Sequence, residues 1–181
     1  DTPFPEGISY YQFEEWKEAV EGCDFVIGGV SSFGVDWFLE NVLSELDPAI
    51  PVLSVTKGLV NLEDGTLISY PEYWKRKLAA KGIVRDICAI GGPCTSYELV
   101  AHDQTEVAFC GKDRQTLVMM KEALTTDYYH ISLTNDVEGL ESAVALKNGY
   151  ALAVAMTIGL VNRDLGPDAG LHYNSQAGAF Y

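Results

Sequence analysis

Hydrophobic positions along this chain alternate between short continuous runs and stretches with helical spacing. Phe25-Val26-Ile27-Gly28-Gly29-Val30, entered through Gly22-Cys23-Asp24, has the length and composition of a buried strand. Apolar residues then recur at 35, 38, 39, 42, 43 and 46, the period of an amphipathic helix. Asp47-Pro48 ends it, because proline disfavours the helical region for the residue before it. The same pattern predicts strands at 51–55, 87–90, 106–110 and 128–133, with helices near 73–81 and 114–124. Continuous apolar strands separated by helices predict an α/β sheet covered on both faces.

The rhythm changes after residue 135. From Asp136 to Leu160 no turn signal is strong enough to stop a helix, and no strand pattern occurs. Ala, Leu and Met dominate, and after Asp136 the charged residues are Glu138, Glu141 and Lys147. A long helix apolar on most sides is expected to be buried. The chain therefore divides into an α/β part over 1–135 and the start of an all-helical part over 136–181.

Composition narrows the function. The chain has 181 residues, of which 48% are hydrophobic and 21% charged, so it can bury a core. With 26 acidic against 12 basic residues it carries a net charge of -14, which argues against a nucleic-acid partner. Residues 1–50 hold the acids most densely, with Lys17 the lone base among them. Cys23, Cys88, Cys94 and Cys110 form no C-x-x-C pair and read as free, buried thiols of a reducing compartment. No apolar run approaches the roughly 20 residues of a membrane span, and a cytoplasmic protein is the expectation.

The chemistry-bearing residues are few. G-x-G-x-x-G is absent, and the P-loop spacing of Gly29 and Gly34 is followed by Val35-Asp36, whose carboxylate would repel a phosphate. Ser54-Val55-Thr56-Lys57-Gly58-Leu59 leaves a predicted strand at its carboxyl end, where open α/β sheets bind ligands. Lys57 is there either a solvated loop residue or a mobile charge for a phosphate or carbonyl oxygen. Gly91-Gly92-Pro93-Cys94-Thr95-Ser96 is either a tight turn or a cradle of backbone N–H groups for an anion. Lys147, with Asn148 beside it, interrupts an apolar stretch and has no carboxylate at i±3 or i±4. It either snorkels to the surface or is a site lysine with its pKa lowered by burial. Lys75, Arg76, Lys77, Lys81 and Arg85 read as a solvated helix face. His102, His130 and His172 lack partners at metal spacing, and no nucleophile elbow surrounds a serine.

Three of these pieces, in order, resemble the NAD(P)-dependent glycerol-3-phosphate dehydrogenases. They are Ser54 to Leu59, Gly92-Pro93 with Glu98, and Asp136-Val137-Glu138-Gly139-Leu140-Glu141 through to Ala145-Leu146-Lys147-Asn148. The last follows the family pattern D-V-x-G-x-E-x-x-x-A-L-K-N, and the resemblance extends over about residues 7 to 160. It implies the later strands of a Rossmann-type dinucleotide-binding domain over 1–135, followed by the start of a helical substrate domain over 136–181. It implies NAD or NADP as cofactor, dihydroxyacetone phosphate and glycerol 3-phosphate as substrate pair, no membrane span, and a homodimer as one assembly open to the protein. By position, Lys147 becomes the catalytic lysine. Lys57, Gly92, Cys94 and Asn148 become substrate-binding, and Phe33, Lys57 and Ser96 cofactor-binding, with no metal. Cys94 stands where the family usually has Ser or Thr, Val30-Ser31-Ser32 lacks its usual proline, and Gly149 replaces a bulky aliphatic residue. Past Leu160, Gly166 and Ala169 echo the family's glycine-rich loop. The family's G-x-G-x-x-G is expected upstream of Asp1, and the Asp and Arg-Asn pair of its phosphate site beyond Tyr181. The 181 residues alone are therefore expected neither to bind cofactor tightly nor to turn over. The competing expectations are a related two-domain hydroxyacid or sugar-acid dehydrogenase, and a degenerate, non-catalytic binding module.

Overall fold

The computed structural model of the chain describes residues 6–167; Ala169 and His172 lie outside them. After a short helix α1 (Trp16–Ala19), the strands β1 (Val26–Gly28) and β2 (Val52–Ser54) pair in parallel. Between them runs α2 (Val35–Phe38), continued by a π-helical turn over Leu39–Leu43. That wide turn has a local cause. Both the backbone N–H and the hydroxyl of Ser44 donate to the Leu39 carbonyl, five residues back.

A hairpin of β3 (Leu59–Asn61) and β4 (Leu67–Ser69) follows β2. It is absent from the periodicity reading because Leu59-Val60 and Leu67-Ile68 are pairs of apolar residues each followed by a polar one, too short to form a run. Its turn signal is present nonetheless: Gly65 takes φ +83°, and the Asp64 carboxylate accepts from the Thr66 N–H. Next come α3 (Tyr70–Ala80), β5 (Ile87–Gly91), the single-turn α4 (Ser96–Val100), β6 (Thr105–Cys110), α5 (Arg114–Leu124), β7 (Tyr129–Thr134) and α6 (Val137–Leu165).

The main sheet has the order β1-β2-β5-β6-β7. β1, β2 and β5 are parallel; β6 runs antiparallel to β5, and β7 is parallel to β6. The reversal follows from the connections. α4 has five residues and cannot carry the chain back along a strand, whereas the eleven-residue α5 returns it between β6 and β7.

The two faces are covered unequally. On one, Val52 and Ile87 pack against Val35, Phe38, Leu43, Trp74 and Leu78 of α2, its π turn and α3, and Ala89 and Cys110 pack against Val137 and Leu140 of α6. On the other, α5 covers Cys88, Val107, Phe109 and Ile131 through Leu117 and Met120. Toward β1 that second face is open: Ile27 is exposed, and an apolar hollow of about 280 Å³ is bounded by Ile27, Leu53, Val55, Ile90 and Leu99. The expected cover on both faces is therefore complete on one side only, because α5 reaches β6 and β7 and stops short of β1.

Three further expectations change. Arg85 belongs to no solvated face: it is buried, and its guanidinium donates to the carbonyls of Leu43, Leu46, Asp47 and Ile50, capping the end of the α2 helical run. Cys88 and Cys110 are buried, but Cys23 is exposed and Cys94 half-buried. The third concerns α6. It has 29 residues, and of these Val137 and Glu141 alone are buried. It contains an 18-residue stretch of mean hydropathy 1.5, so by length and composition it is long and apolar enough to cross a membrane. Lys147-Asn148 interrupts that stretch, so it holds no uninterrupted apolar run of spanning length.

Candidate active site

Because β1, β2 and β5 are parallel neighbours, the loops after them emerge at one edge of the sheet. Phe33 lies in the turn Ser32–Gly34 after β1, its ring 99% exposed. After β2, the buried Thr56 hydroxyl donates to the Val30 carbonyl at 2.8 Å, tying the second loop to the first. Lys57 follows, exposed, and Gly58 takes φ +135° with its Cα against the Tyr70 ring, where a Cβ would stand 2.9 Å from a ring carbon. After β5, Gly92 takes φ +145°. A Cβ there would lie 2.9 Å from the Val107 Cα and 3.0 Å from the Glu106 carbonyl oxygen, so a side chain is excluded twice over.

Lys57, Gly92 and Cys94 line one cavity of about 210 Å³, with Val55, Ile90, Val107 and Tyr129 as its apolar walls. It shares Val55, Ile90 and Tyr129 with the open apolar hollow beside it. A charged, glycine-floored pocket thus adjoins an apolar surface. Tyr129 was not singled out from sequence. Burial pushes its phenol above the usual range, with the neighbouring Cys94 thiol adding to the effect. Ser96 begins α4 and is exposed; ahead of it, the Thr95 hydroxyl donates to the Glu98 carboxylate, so no side chain caps the first N–H groups of this helix.

α6 approaches the same edge from the opposite end of the sheet. The Asp136 carboxylate caps it, accepting from the Gly139 N–H at 2.9 Å. Val137 lies with Ile87 at the start of β5, and Leu140 and Val144 lie against Gly91 at its end. The helix therefore climbs along β5, and one more turn carries Lys147 and Asn148 past the strand's carboxyl end. By helical spacing Lys147 continues the row of Leu140 and Val144, and Asn148 the row of Val137, Glu141 and Val144. Both are exposed, so the burial expected of Lys147 is not found. The helix has cleared the sheet at this height, and no other described element covers it. Neither residue lines the Lys57 cavity.

The sequence reading also passed over Glu141. It is 1% exposed, and its Oε2 has no hydrogen-bond partner among the described residues. Burial pushes its carboxyl up to about 7, against the opposing pull of the Lys57 charge. A signal existed: Glu141 occupies the i+4 position from Val137 and i−3 from Val144, squarely on the apolar stripe.

A sequence model of the NAD-dependent glycerol-3-phosphate dehydrogenase N-terminus matches residues 1–117. The NADP(+)-dependent glycerol-3-phosphate dehydrogenase of Archaeoglobus fulgidus is 29% identical over 157 residues, covering 87% of this chain and 46% of the relative. A NAD(P)+ glycerol-3-phosphate dehydrogenase of Mycobacterium bovis is 30% identical over 144 residues, covering 78% and 40%. The chain thus spans less than half the length of these curated relatives. In fold it is similar to the crystal structure of glycerol-3-phosphate dehydrogenase from Coxiella burnetii, with a TM-score of 0.69 at 20% identity over 98% of this chain and 58% of that one.

Proposed function

The chain belongs to the NAD-dependent glycerol-3-phosphate dehydrogenase family, and from that membership we propose that the protein of which these residues form part interconverts dihydroxyacetone phosphate and sn-glycerol 3-phosphate with NAD(P)H. The observation that carries the proposal is the single cavity at the strand ends that brings Lys57, Gly92 and Cys94 together. The relatives described above bear the glycerol-3-phosphate dehydrogenase name, which favours this reading over a hydroxyacid dehydrogenase or a degenerate module.

The residues present suit the nicotinamide end of such a cofactor. Phe33 offers a bare aromatic ring after β1, Gly92 leaves backbone where a side chain would stand, and Ser96 offers a hydroxyl at the start of α4. When bound, NAD(P)H supplies the hydride. The chain's own residues supply the rest. Lys147 donates a proton to the carbonyl oxygen as it becomes a hydroxyl, and accepts that proton in the reverse direction. Lys57 adds positive charge beside that oxygen and beside the substrate's phosphate. Gly92 and the Cys94 thiol floor the substrate pocket, where the thiol donates more weakly than a hydroxyl would. Asn148 holds the substrate by hydrogen bonding. Residues 1–135 are read as the cofactor part and 136–181 as the first of the substrate part, of which 136–167 lie among the described residues. The free thiols suit a reducing, cytoplasmic setting; the proposed substrate pair would link carbohydrate and glycerophospholipid metabolism, and a homodimer is the assembly that sizing of the parent protein would check. α6 is read as a helix of this fold rather than a span, since its first two turns pack on β5.

The test is NADH or NADPH oxidation by the parent protein with dihydroxyacetone phosphate, before and after Lys147→Met. Loss of a general acid is expected to lower kcat by about 10²- to 10⁴-fold. Undiminished turnover in the variant would remove Lys147 from the mechanism.

A further inference from the structure

Because β6 runs against β5 and β7 runs with β6, β7 begins at the sheet edge where β1, β2 and β5 end. Its first residue is Tyr129. Alternation along the strand sends Tyr129, Ile131 and Leu133 to the face covered by α5. Cys94, from the loop after β5, packs into the same cluster. The two residues line one cavity together with Lys57 and Gly92. Tyr129 also borders the apolar hollow next to it, so it stands where a polar pocket meets an apolar surface.

The phenol is committed to nothing else. The Tyr129 N–H donates to Thr126 Oγ1 at 3.0 Å and its carbonyl accepts from the Thr126 N–H at 3.1 Å, which holds the backbone at the head of the strand. The hydroxyl itself has no hydrogen-bond partner among the described residues. Nor is it sealed off, since the buried side-chain polar atoms that lack a partner there are Arg85 Nε and Glu141 Oε2. The Tyr129 oxygen therefore opens onto accessible space. Among the residues lining the cavity it is the one hydroxyl: Lys57 only donates, the Cys94 thiol donates weakly, and Val55, Ile90 and Val107 are apolar. Burial, with the neighbouring Cys94 adding to it, raises the phenol above its usual range, so it holds its proton at neutral pH and can both donate and accept.

We propose that Tyr129 is a further substrate-contacting residue, whose phenol hydroxyl hydrogen-bonds an uncharged hydroxyl of the ligand while Lys57 meets its charged part. This deepens the functional reading above and rests on it. The site then selects a phosphorylated hydroxyketone over the same ketone without its free hydroxyl.

The test compares dihydroxyacetone phosphate with hydroxyacetone phosphate, which lacks that hydroxyl, as substrates of the parent protein. Tyr129→Phe keeps the ring and removes only the oxygen. It is expected to lower kcat/KM for dihydroxyacetone phosphate by about three- to tenfold, the size of one neutral hydrogen bond, and to leave hydroxyacetone phosphate unchanged. A role in packing alone predicts equal losses for both substrates; that result, or no loss for either, would overturn the assignment. Where either ketone fails to turn over, calorimetric titration of the parent with glycerol 3-phosphate and 2-hydroxypropyl phosphate decides. Weaker binding of glycerol 3-phosphate alone in Tyr129→Phe would sustain the contact, whereas equal losses, no loss or no binding of either would overturn it. A parent inactive with dihydroxyacetone phosphate would refute the functional reading, whatever the titration shows for Tyr129.

Discussion

Glu141 leaves a signature in stability. Its carboxyl ionises near the model-compound value of 4.5 when unfolded and at about 7 when buried. Between those values the folded state holds a proton that the unfolded state has released, so stability falls as pH rises through this window and levels off above it. At 1.36 kcal/mol per unit, the loss is about 3 kcal/mol. Glu141→Leu removes the titrating group, so urea unfolding at pH 5 and pH 8 should differ less in the variant than in wild type by about that amount. Equal pH dependence in both would show that the carboxyl is not held where the fold puts it. Arg85 illustrates the same scale from the other side. Five bases clustered in sequence read as one solvated face, yet Arg85 turns inward onto four carbonyls contributed by residues 43 to 50. Sequence shows a charge and its near neighbours; carbonyl groups about 40 residues away carry no signature in it.

At the scale of elements, α6 shows why helical period and burial are separate matters. Its period, its Asp136 cap and its length are local properties, and they are legible from Asp136 onward. Its burial depends on what lies beside it, and beyond Val144 the helix rises past the strands it packs on. The contact at Gly91 fixes its height. A Cβ on residue 91 would stand 2.5 Å from Val144 Cγ2 and 2.9 Å from Leu140 Cγ. Gly91→Ala is therefore expected to lift α6 off β5 and to destabilise the fold by about 1–3 kcal/mol. Hydrogen exchange reads both effects: protection over residues 137–145 should fall, while residues 150–165, none of them buried, should change little. Unchanged protection in the first turns would mean that the helix is not seated on this glycine.

Across the whole molecule, the sheet gives the candidate residues unequal surroundings. The parallel strands β1, β2 and β5 bring the Phe33, Lys57 and Gly92 loops to one edge, and α6 brings Lys147 and Asn148 to it from below. Within these 181 residues there is no G-x-G-x-x-G to receive a pyrophosphate. If the nicotinamide meets the proposed ring, hydroxyl and lysine alone, the isolated chain is expected to bind NADH with a Kd above about 1 mM, corresponding to no more than about 4 kcal/mol. Fluorescence titration with NADH checks this; micromolar binding would show that the edge loops hold the cofactor without that motif.

By itself the sequence determined the α/β alternation, most element positions to within a few residues, the motif spacing that points to Lys57, Gly92 and Lys147, and the family those motifs belong to. Each is carried by neighbours in the chain: period, cap, turn residue or local motif. Tertiary structure alone decided that β6 reverses, that the second sheet face stays open toward β1, that Arg85 and Glu141 turn inward, and that Lys147 emerges into the open. Those outcomes depend on which elements meet in space. A side chain's burial and charge state are set by groups far away in sequence, whereas its helical or extended backbone is set by the residues beside it.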